Sequence, residues 1–210
     1  MPNEPDQKRA VAFFDGQNLF LSVKYAFGYT HPNYNPLALA ESIANSQSWS
    51  LSQVNFYTGM PSYSENPFWN NFWIAKLAVM ESRGIHTYSR LLKYTDESAT
   101  LPDGTSASIR IGREKGIDVR IALDIVRMAQ ENLYDVALIF SQDQDLSEAI
   151  DEVRNISRYQ SRWIKVACAF PFSPFSGNKC GLERTDWIRI EKETYDACID
   201  PIDYRPKTKT

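Results

Sequence analysis

Histidine and cysteine are scarce in this chain of 210 residues, with 2 of the first and 3 of the second. His31 and His86 stand far from each other and from any cysteine. A histidine-based zinc centre or a Ser/His/Asp triad therefore has little to be built from, and His86, placed in a strand, reads as a packed histidine. Cys168, Cys180 and Cys198 make neither a disulfide framework nor a paired zinc knuckle. They read most simply as buried small residues of a reduced, cytoplasmic protein. Long apolar runs are also missing. Val11–Phe14 and Val136–Phe140 are among the longest, and a membrane-spanning helix needs about 20 such residues. The polar opening Met1–Arg9 holds no apolar stretch of signal-peptide length. Net positive charge is lacking too, the formal charge being −3. That excludes a globally basic nucleic-acid binder but not a locally basic one, because a partner responds to the local field.

What the chain does have is alternation of strand and helix patterns. Arg9–Asp15 carries the unbroken run Val11, Ala12, Phe13, Phe14 of a strand buried on both faces. Asn18–Ala26 reads as helix. Asn35-Pro36 is an N-cap followed by proline at the first helical position, opening a helix to about Ala44. Gln53–Tyr57 is a second strand. Pro67 opens an aromatic-rich helix that Gly84 closes, and Ile85–Leu92 is a third strand. The excess of aromatics on that helix (Phe68, Trp69, Phe72, Trp73) is core packing or a dimer face. Ile117–Glu131 is an amphipathic helix, Val136–Phe140 a fourth strand, Leu146–Arg158 a helix, Ile164–Ala169 a fifth strand and Asp186–Ile190 a last short one. Residues 93–113 differ: Pro102-Asp103-Gly104 lies between Ser/Thr-rich arms, a β-hairpin or flap inserted into the domain. The pattern predicts one α/β domain over residues 9–199, a mostly parallel sheet with helices on both faces, and flexible tails at 1–8 and 202–210.

In such sheets ligands bind beyond the carboxyl ends of strands, where the strand order reverses. Asp15-Gly16-Gln17-Asn18 follows strand one, and Ser141-Gln142-Asp143-Gln144-Asp145 follows strand four. Asp118 opens the helix between them, on the face of Ile121, Ala122 and Ile125, and so points inward. Each acid also has a plain reading. Asp15-Gly16 is a turn dipeptide, Asp118 a first-turn acid favoured by the helix dipole, and Asp143 or Asp145 an N-cap. Asp124, with Arg120 and Arg127 at i−4 and i+3, reads as a surface ion pair. Buried carboxylates that meet at one point persist only by sharing protons or binding a cation. All-oxygen ligands suit Mg²⁺ or Mn²⁺, which activate water and stabilise a phosphodiester under in-line attack. The acids by themselves thus point to a metal-dependent phosphoryl hydrolase. A phosphatase built on Asp-x-Asp after strand one is disfavoured, because the second position is Gln17.

The segments Phe13-Phe14-Asp15-Gly16-Gln17-Asn18, Lys115-Gly116-Ile117-Asp118-Val119-Arg120-Ile121-Ala122-Leu123-Asp124 and Ser141-Gln142-Asp143-Gln144-Asp145-Leu146 share an order and spacing. In these they resemble the NYN domain of the PIN-like nuclease superfamily, with the LabA-like bacterial branch nearest in feel. The resemblance runs from about Val11 to Ala169. It implies a Rossmann-like, PIN-type sheet in the order 3-2-1-4-5 and Mg²⁺- or Mn²⁺-dependent RNase chemistry. Position by position, Asp15, Asp118 and Asp143 correspond to the metal-binding acids, Asn18 to the motif's asparagine, and Asp145 to the second acid of Ser-x-Asp-x-Asp. These five form the implied catalytic set. Leu146 stands where an aromatic is usual, and the 93–113 insertion is longer than a minimal member needs.

From Arg154 to Leu182 there is no acidic residue, while Arg154, Arg158, Arg162, Lys165 and Lys179 fall in that stretch with Tyr159, Trp163, Phe170, Phe172 and Phe175 between them. Basic groups interleaved with aromatics suit single-stranded RNA; the plain alternative is a solvated helix face followed by core aromatics. A second basic set holds Arg90, Lys93, Arg110, Arg113 and Lys115, diluted by Asp96, Glu97, Asp103 and Glu114. Lys115, three residues before Asp118, is the one placed to touch a scissile phosphate or to balance the acid cluster. The expectation is a metal-dependent ribonuclease. The alternative is a catalytically silent module of the same fold that binds RNA or protein.

Overall fold

A computed structural model describes residues 2–100 and 106–207. The strands, in chain order, are β1 (Lys8–Asp15), β2 (Trp49–Met60), β3 (His86–Leu91), β4 (Lys93–Thr100), β5 (Ser106–Arg113), β6 (Val136–Phe140), β7 (Lys165–Pro171) and β8 (Asp186–Ile190). The Val11–Phe14 run is apolar throughout because β1 is central and covered from both sides. Ala10, Ala12 and Phe14 enter one core layer, Val11 and Phe13 the other. The main sheet has six strands in the order β3-β2-β1-β6-β7-β8, every neighbouring pair parallel. The expected order is present, with the short Asp186–Ile190 strand added at the β7 edge.

One face carries α1 (Gly16–Phe27), α2 (Pro36–Ser46) and α3 (Pro67–Ser82); the other carries α4 (Ile117–Gln130) and α5 (Ser147–Tyr159). The short α6 (Lys192–Asp196) follows β8. Caps set the boundaries. Asn35 Oδ1 accepts from the Leu37 and Ala38 amides ahead of Pro36, and Gly84 leaves α3 at φ +80°, where only glycine sits without strain. In α3 Phe72, Trp73, Leu77 and Met80 are buried in the larger core layer, so most of its aromatic excess is packing. β4 and β5 form a separate antiparallel pair from Lys93↔Arg113 to Thr100↔Ser106. This is the expected inserted hairpin; its Pro102–Gly104 turn lies outside the described residues.

Four expectations change in three dimensions. Part of the expected tail at 202–210 is packed, together with Asp200 just before it. Asp200 and Tyr204 are buried, Asp200 pairs with Arg83 at 3.5 Å and Lys76 at 3.9 Å, and Tyr204 packs edge-on to Phe72. Lys76 itself is fully buried, donating to the Tyr34 carbonyl at 2.8 Å beneath the Tyr204 ring. Asp124 pairs with Arg120 (2.8 Å) and Arg127 (3.4 Å) as expected, but it is buried rather than on the surface, because Tyr57 closes over it and donates its hydroxyl at 3.0 Å. His86 is exposed at the head of the edge strand β3 rather than packed. Cys168 and Cys198 are buried, whereas Cys180 is exposed on the loop before β8.

Candidate carboxylate site and adjoining clefts

After β1 the chain enters α1 on one face of the sheet, and after β6 it enters α5 on the other. The crevice between the two strand ends is the switch point of the fold. Asp15 ends β1 there. Its Oδ1 accepts the Asn18 amide at 3.1 Å and its Oδ2 accepts the Ser141 hydroxyl at 3.2 Å. The same hydroxyl accepts the Asp143 amide at 3.1 Å, so one serine ties the two strand-end acids together. Asp15 is only 6% exposed. Burial pushes its carboxyl up to about 6, and the negative charges of Asp143 and Asp118 add to that push.

Asp143 Oδ1 accepts the Asp145 amide at 3.1 Å and so caps a 3₁₀ turn, Gln144–Leu146. Asn18 Oδ1 accepts the Gln142 amide at 2.9 Å, locking α1 to the loop after β6. Asp15 and Asp143 thus each cap the helical turn that follows them, as the N-cap reading of Asp143 expected. Asp118 stands half-buried in the first turn of α4, with Ile121 and Ile125 fully buried on the same helix. The turn into α4 is made by Gly116 at φ +75°, where an added Cβ would lie 2.7 Å from the Arg90 guanidinium. No side chain fits that position without displacing Arg90. Asp145 is exposed and lines a groove between α4 and α5 with Asp118, Val119, Leu123 and Glu148.

A fifth acid joins from a residue that sequence reasoning took only for a charge diluting the second basic set. Glu114 turns inward ahead of the Gly116 turn. The Gly59 amide at the end of β2 donates to its Oε1, and the Gln17 side-chain amide reaches its carboxylate at 3.0 and 3.2 Å when turned nitrogen-inward. Burial, with Asp15 and Asp118 nearby, pushes Glu114 up to about 7. Only its place four residues before Asp118 hinted at this.

The cluster is rich in oxygen donors and starved of positive charge. None of Asp15, Glu114, Asp118, Asp143 and Asp145 takes part in the ion pairs of the described residues. Carboxylates alone, two of them desolvated, fit a hard divalent cation. Among the described residues no three acids converge into a ready-made ligand group. Asp15, Asp118 and Asp143 therefore share an edge and a mutual repulsion rather than a finished cage.

The basic residues divide. Lys115 is exposed beside Asp118, and Arg90 Nη1 donates to the Lys115 carbonyl at 3.4 Å. An α-helix advances about 1.5 Å per residue, so α5 carries Arg154 and then Arg158 progressively away from the acid edge. Arg154 donates to the Arg184 carbonyl at 2.5 Å. Arg162 donates to the carbonyls of Ala129 (2.9 Å) and Tyr134 (2.8 Å) and to Gln160 (2.9 Å), which makes it a brace. Lys165 begins β7 and pairs with Asp186 at 2.6 Å. In a parallel sheet its position is the edge opposite the acids. Of the interleaved aromatics, Tyr159 and Phe175 are exposed and Phe170 is buried.

Two clefts open beside the acids. One, of about 310 Å³, is bounded by Gln17, Phe20, Gly59, Trp69, Trp73 and Tyr94 among others. The second, of about 470 Å³, lies across Leu21 and includes Asn18, Gln142 and the exposed Tyr25 and Phe175.

A parallel α/β sheet with carboxylates from two strand ends and a helix head gathered at its switch point defines a class: an acidic, oxygen-donor site on a Rossmann-like scaffold. The NYN domain profile matches residues 9–164. The chain belongs to the NYN-domain family, within the fold expected of PIN-like nucleases. The match is to the domain as a whole and does not separate its branches. None of the curated proteins matches the chain. Among solved structures it is similar to MurG of Acinetobacter baumannii, over 86% of this chain and 45% of that one, at 9% identity and a TM-score of 0.32. That likeness carries no argument about site or activity. No helix among the described residues is long and apolar enough to cross a membrane.

Proposed function

We propose that the protein is a metal-dependent ribonuclease that hydrolyses phosphodiester bonds of single-stranded RNA at the β1–β6 edge. The observation that carries this reading is the desolvated Asp15, with Asp118 and Asp143 near enough for their charges to add to the push of burial, and with Asp15 and Asp118 doing the same to Glu114. Membership of the NYN family supports it. Asp15, Asp118 and Asp143 would hold Mg²⁺ or Mn²⁺. When bound, such an ion supplies an activated water and charge stabilisation for the phosphoryl oxygens. The chain's own residues do the rest. Ser141 and the Asn18 amide hold the Asp15 carboxylate in one orientation. Asn18, through Gln142, holds the Asp143 loop against α1. Glu114 is held in place by the Gly59 amide and the Gln17 side-chain amide. Lys115 and Arg90, exposed at the head of α4, attract the RNA backbone.

The test is cleavage of a labelled single-stranded RNA by the purified protein in Mn²⁺ and in chelator, for wild type, Asp15→Asn and Asp143→Asn. Cleavage that needs both the cation and both acids supports the reading. RNA binding with no cleavage by wild type would instead establish the silent regulatory module.

A further inference from the structure

The inserted hairpin builds something the acid edge alone lacks. Tyr94 on β4 faces Gly112 on β5, and a Cβ at Gly112 would come 2.7 Å from the tyrosine ring. The ring therefore lies flat across its glycine partner, the packing that fixes an aromatic on an otherwise bare strand. The hairpin is in turn pinned to the entrance of α3. Arg110, whose guanidinium sits 5.6 Å from the Tyr94 ring centre, pairs with Glu65 at 2.6 Å just before that helix. Tyr94 thus joins Trp69 and Trp73 of α3 and Phe20 of α1 in lining the 310 Å³ cleft.

The start of α1 and the end of β2 line the cleft as well. Gly16, Gln17 and Gly59 line it, and the last two are the groups that hold Glu114. The cleft and the carboxylates therefore share a wall. Its size is at the low end for small-molecule pockets, and its lining is mostly apolar, with Phe20, Trp69, Trp73 and Tyr94 set among leucines and prolines. A neutral, planar, aromatic group fits such walls; an anionic or acyl group gains nothing from the acids next door. We propose that this cleft is a nucleobase-stacking subsite, which takes one unpaired base of the RNA strand whose backbone crosses the carboxylate edge. The inference rests on the ribonuclease reading in one respect only, that the strand is nucleic acid. It assigns the hairpin insertion a role in holding substrate. Stacking is tolerant of sequence because every base has a π-face, so the subsite selects unpaired RNA over duplex without selecting one base.

The test is equilibrium binding in chelator, which separates it from cleavage. Fluorescence anisotropy would compare a short single-stranded RNA with the same sugar–phosphate chain carrying abasic positions. Wild type should bind the RNA about tenfold more tightly than the abasic chain, as base stacking on an aromatic wall does. Tyr94→Ala should remove most of that preference while leaving abasic binding unchanged, and Tyr94→Phe should restore it. Trp69→Leu supplies a second wall variant on another element, with circular dichroism melts confirming that each variant folds. No preference in wild type, no RNA binding at all, or a preference untouched by Tyr94→Ala and Trp69→Leu would overturn the subsite. If the preference behaves as expected but Mn²⁺ brings no cleavage, the subsite stands and the hydrolase reading falls. If RNA is cleaved while the wall variants behave as wild type, the reverse holds.

Discussion

Asp15→Asn tests the carboxylate edge most directly, because it removes a charge and almost nothing else. The folded Asp15 carboxyl keeps its proton to about 6, whereas an unfolded aspartate releases it near 3.9. Between those values the folded state binds more protons than the unfolded. Stability therefore falls as pH rises through the window and stays reduced above it. A shift of about two pH units is worth about 3 kcal/mol, and at 6% exposure little of that is screened. Asparagine lacks the charge and keeps an oxygen for the Asn18 amide. Its NH₂ group, however, would face the Ser141 hydroxyl that now donates to Oδ2, a loss of about 1 kcal/mol. The net expectation is that Asp15→Asn is more stable than wild type in chelator at pH 7.5 by about 1–2 kcal/mol, or about 3–6 °C in Tm for a chain of this size. At pH 5, where wild-type Asp15 is mostly protonated, the gap should close. Saturating Mn²⁺ should raise the wild-type Tm, by about 2.7 kcal/mol of stability at a hundredfold excess over Kd, and should leave the variant nearly unmoved. Four melting curves at each pH decide it. A variant that melts below wild type in chelator, or a gap equal at both pH values, refutes the argument that the edge is under electrostatic strain.

Arg162→Ala should destabilise the fold by about 2 kcal/mol through its lost charge-assisted hydrogen bonds, with the salt dependence of RNA binding unchanged; urea titration and anisotropy read the two effects separately. Lys115→Glu with Arg90→Glu should lower the log–log salt slope of RNA binding by about 0.7 for each phosphate no longer neutralised, while Arg158→Glu leaves it in place; an equal slope for all three proteins would move the strand off the head of α4. Lys76, which burial lowers to about 8, binds fewer protons folded than unfolded between that value and about 10.4, so stability should rise with pH across this window. The stability of wild type relative to Lys76→Met in urea should grow by about 3 kcal/mol from pH 7 to pH 10, and a flat difference would show that burial does not penalise the charged lysine.

The strands and the acids at their ends are legible because each is a local pattern. A run such as Val136–Phe140 can be apolar at every position only where helices cover both faces, and the observed strand has those same bounds. Asn35-Pro36 and Asn66-Pro67 cap helices by chemistry confined to a few neighbouring residues. The parallel order then sends Asp15 and Asp143 to one edge with no further information. Which way a charged side chain turns depends instead on what another element leaves beside it. Glu114 turns inward because the Gly59 amide at the end of β2 is there to meet it. Asp124 is buried because Tyr57 closes over an ion pair that helical spacing alone would leave in water. Arg162 follows a basic row in the sequence, yet its guanidinium is drawn to carbonyls at the ends of two other segments. Tyr94 lines the cleft at the acid edge together with Trp69 from a hairpin whose Arg110 pairs with Glu65 across the fold. Local sequence sets the elements and their ends through backbone and side-chain preferences a few residues long. Desolvation, charge partners and cavities arise between elements distant in the chain, and only the tertiary structure decides them.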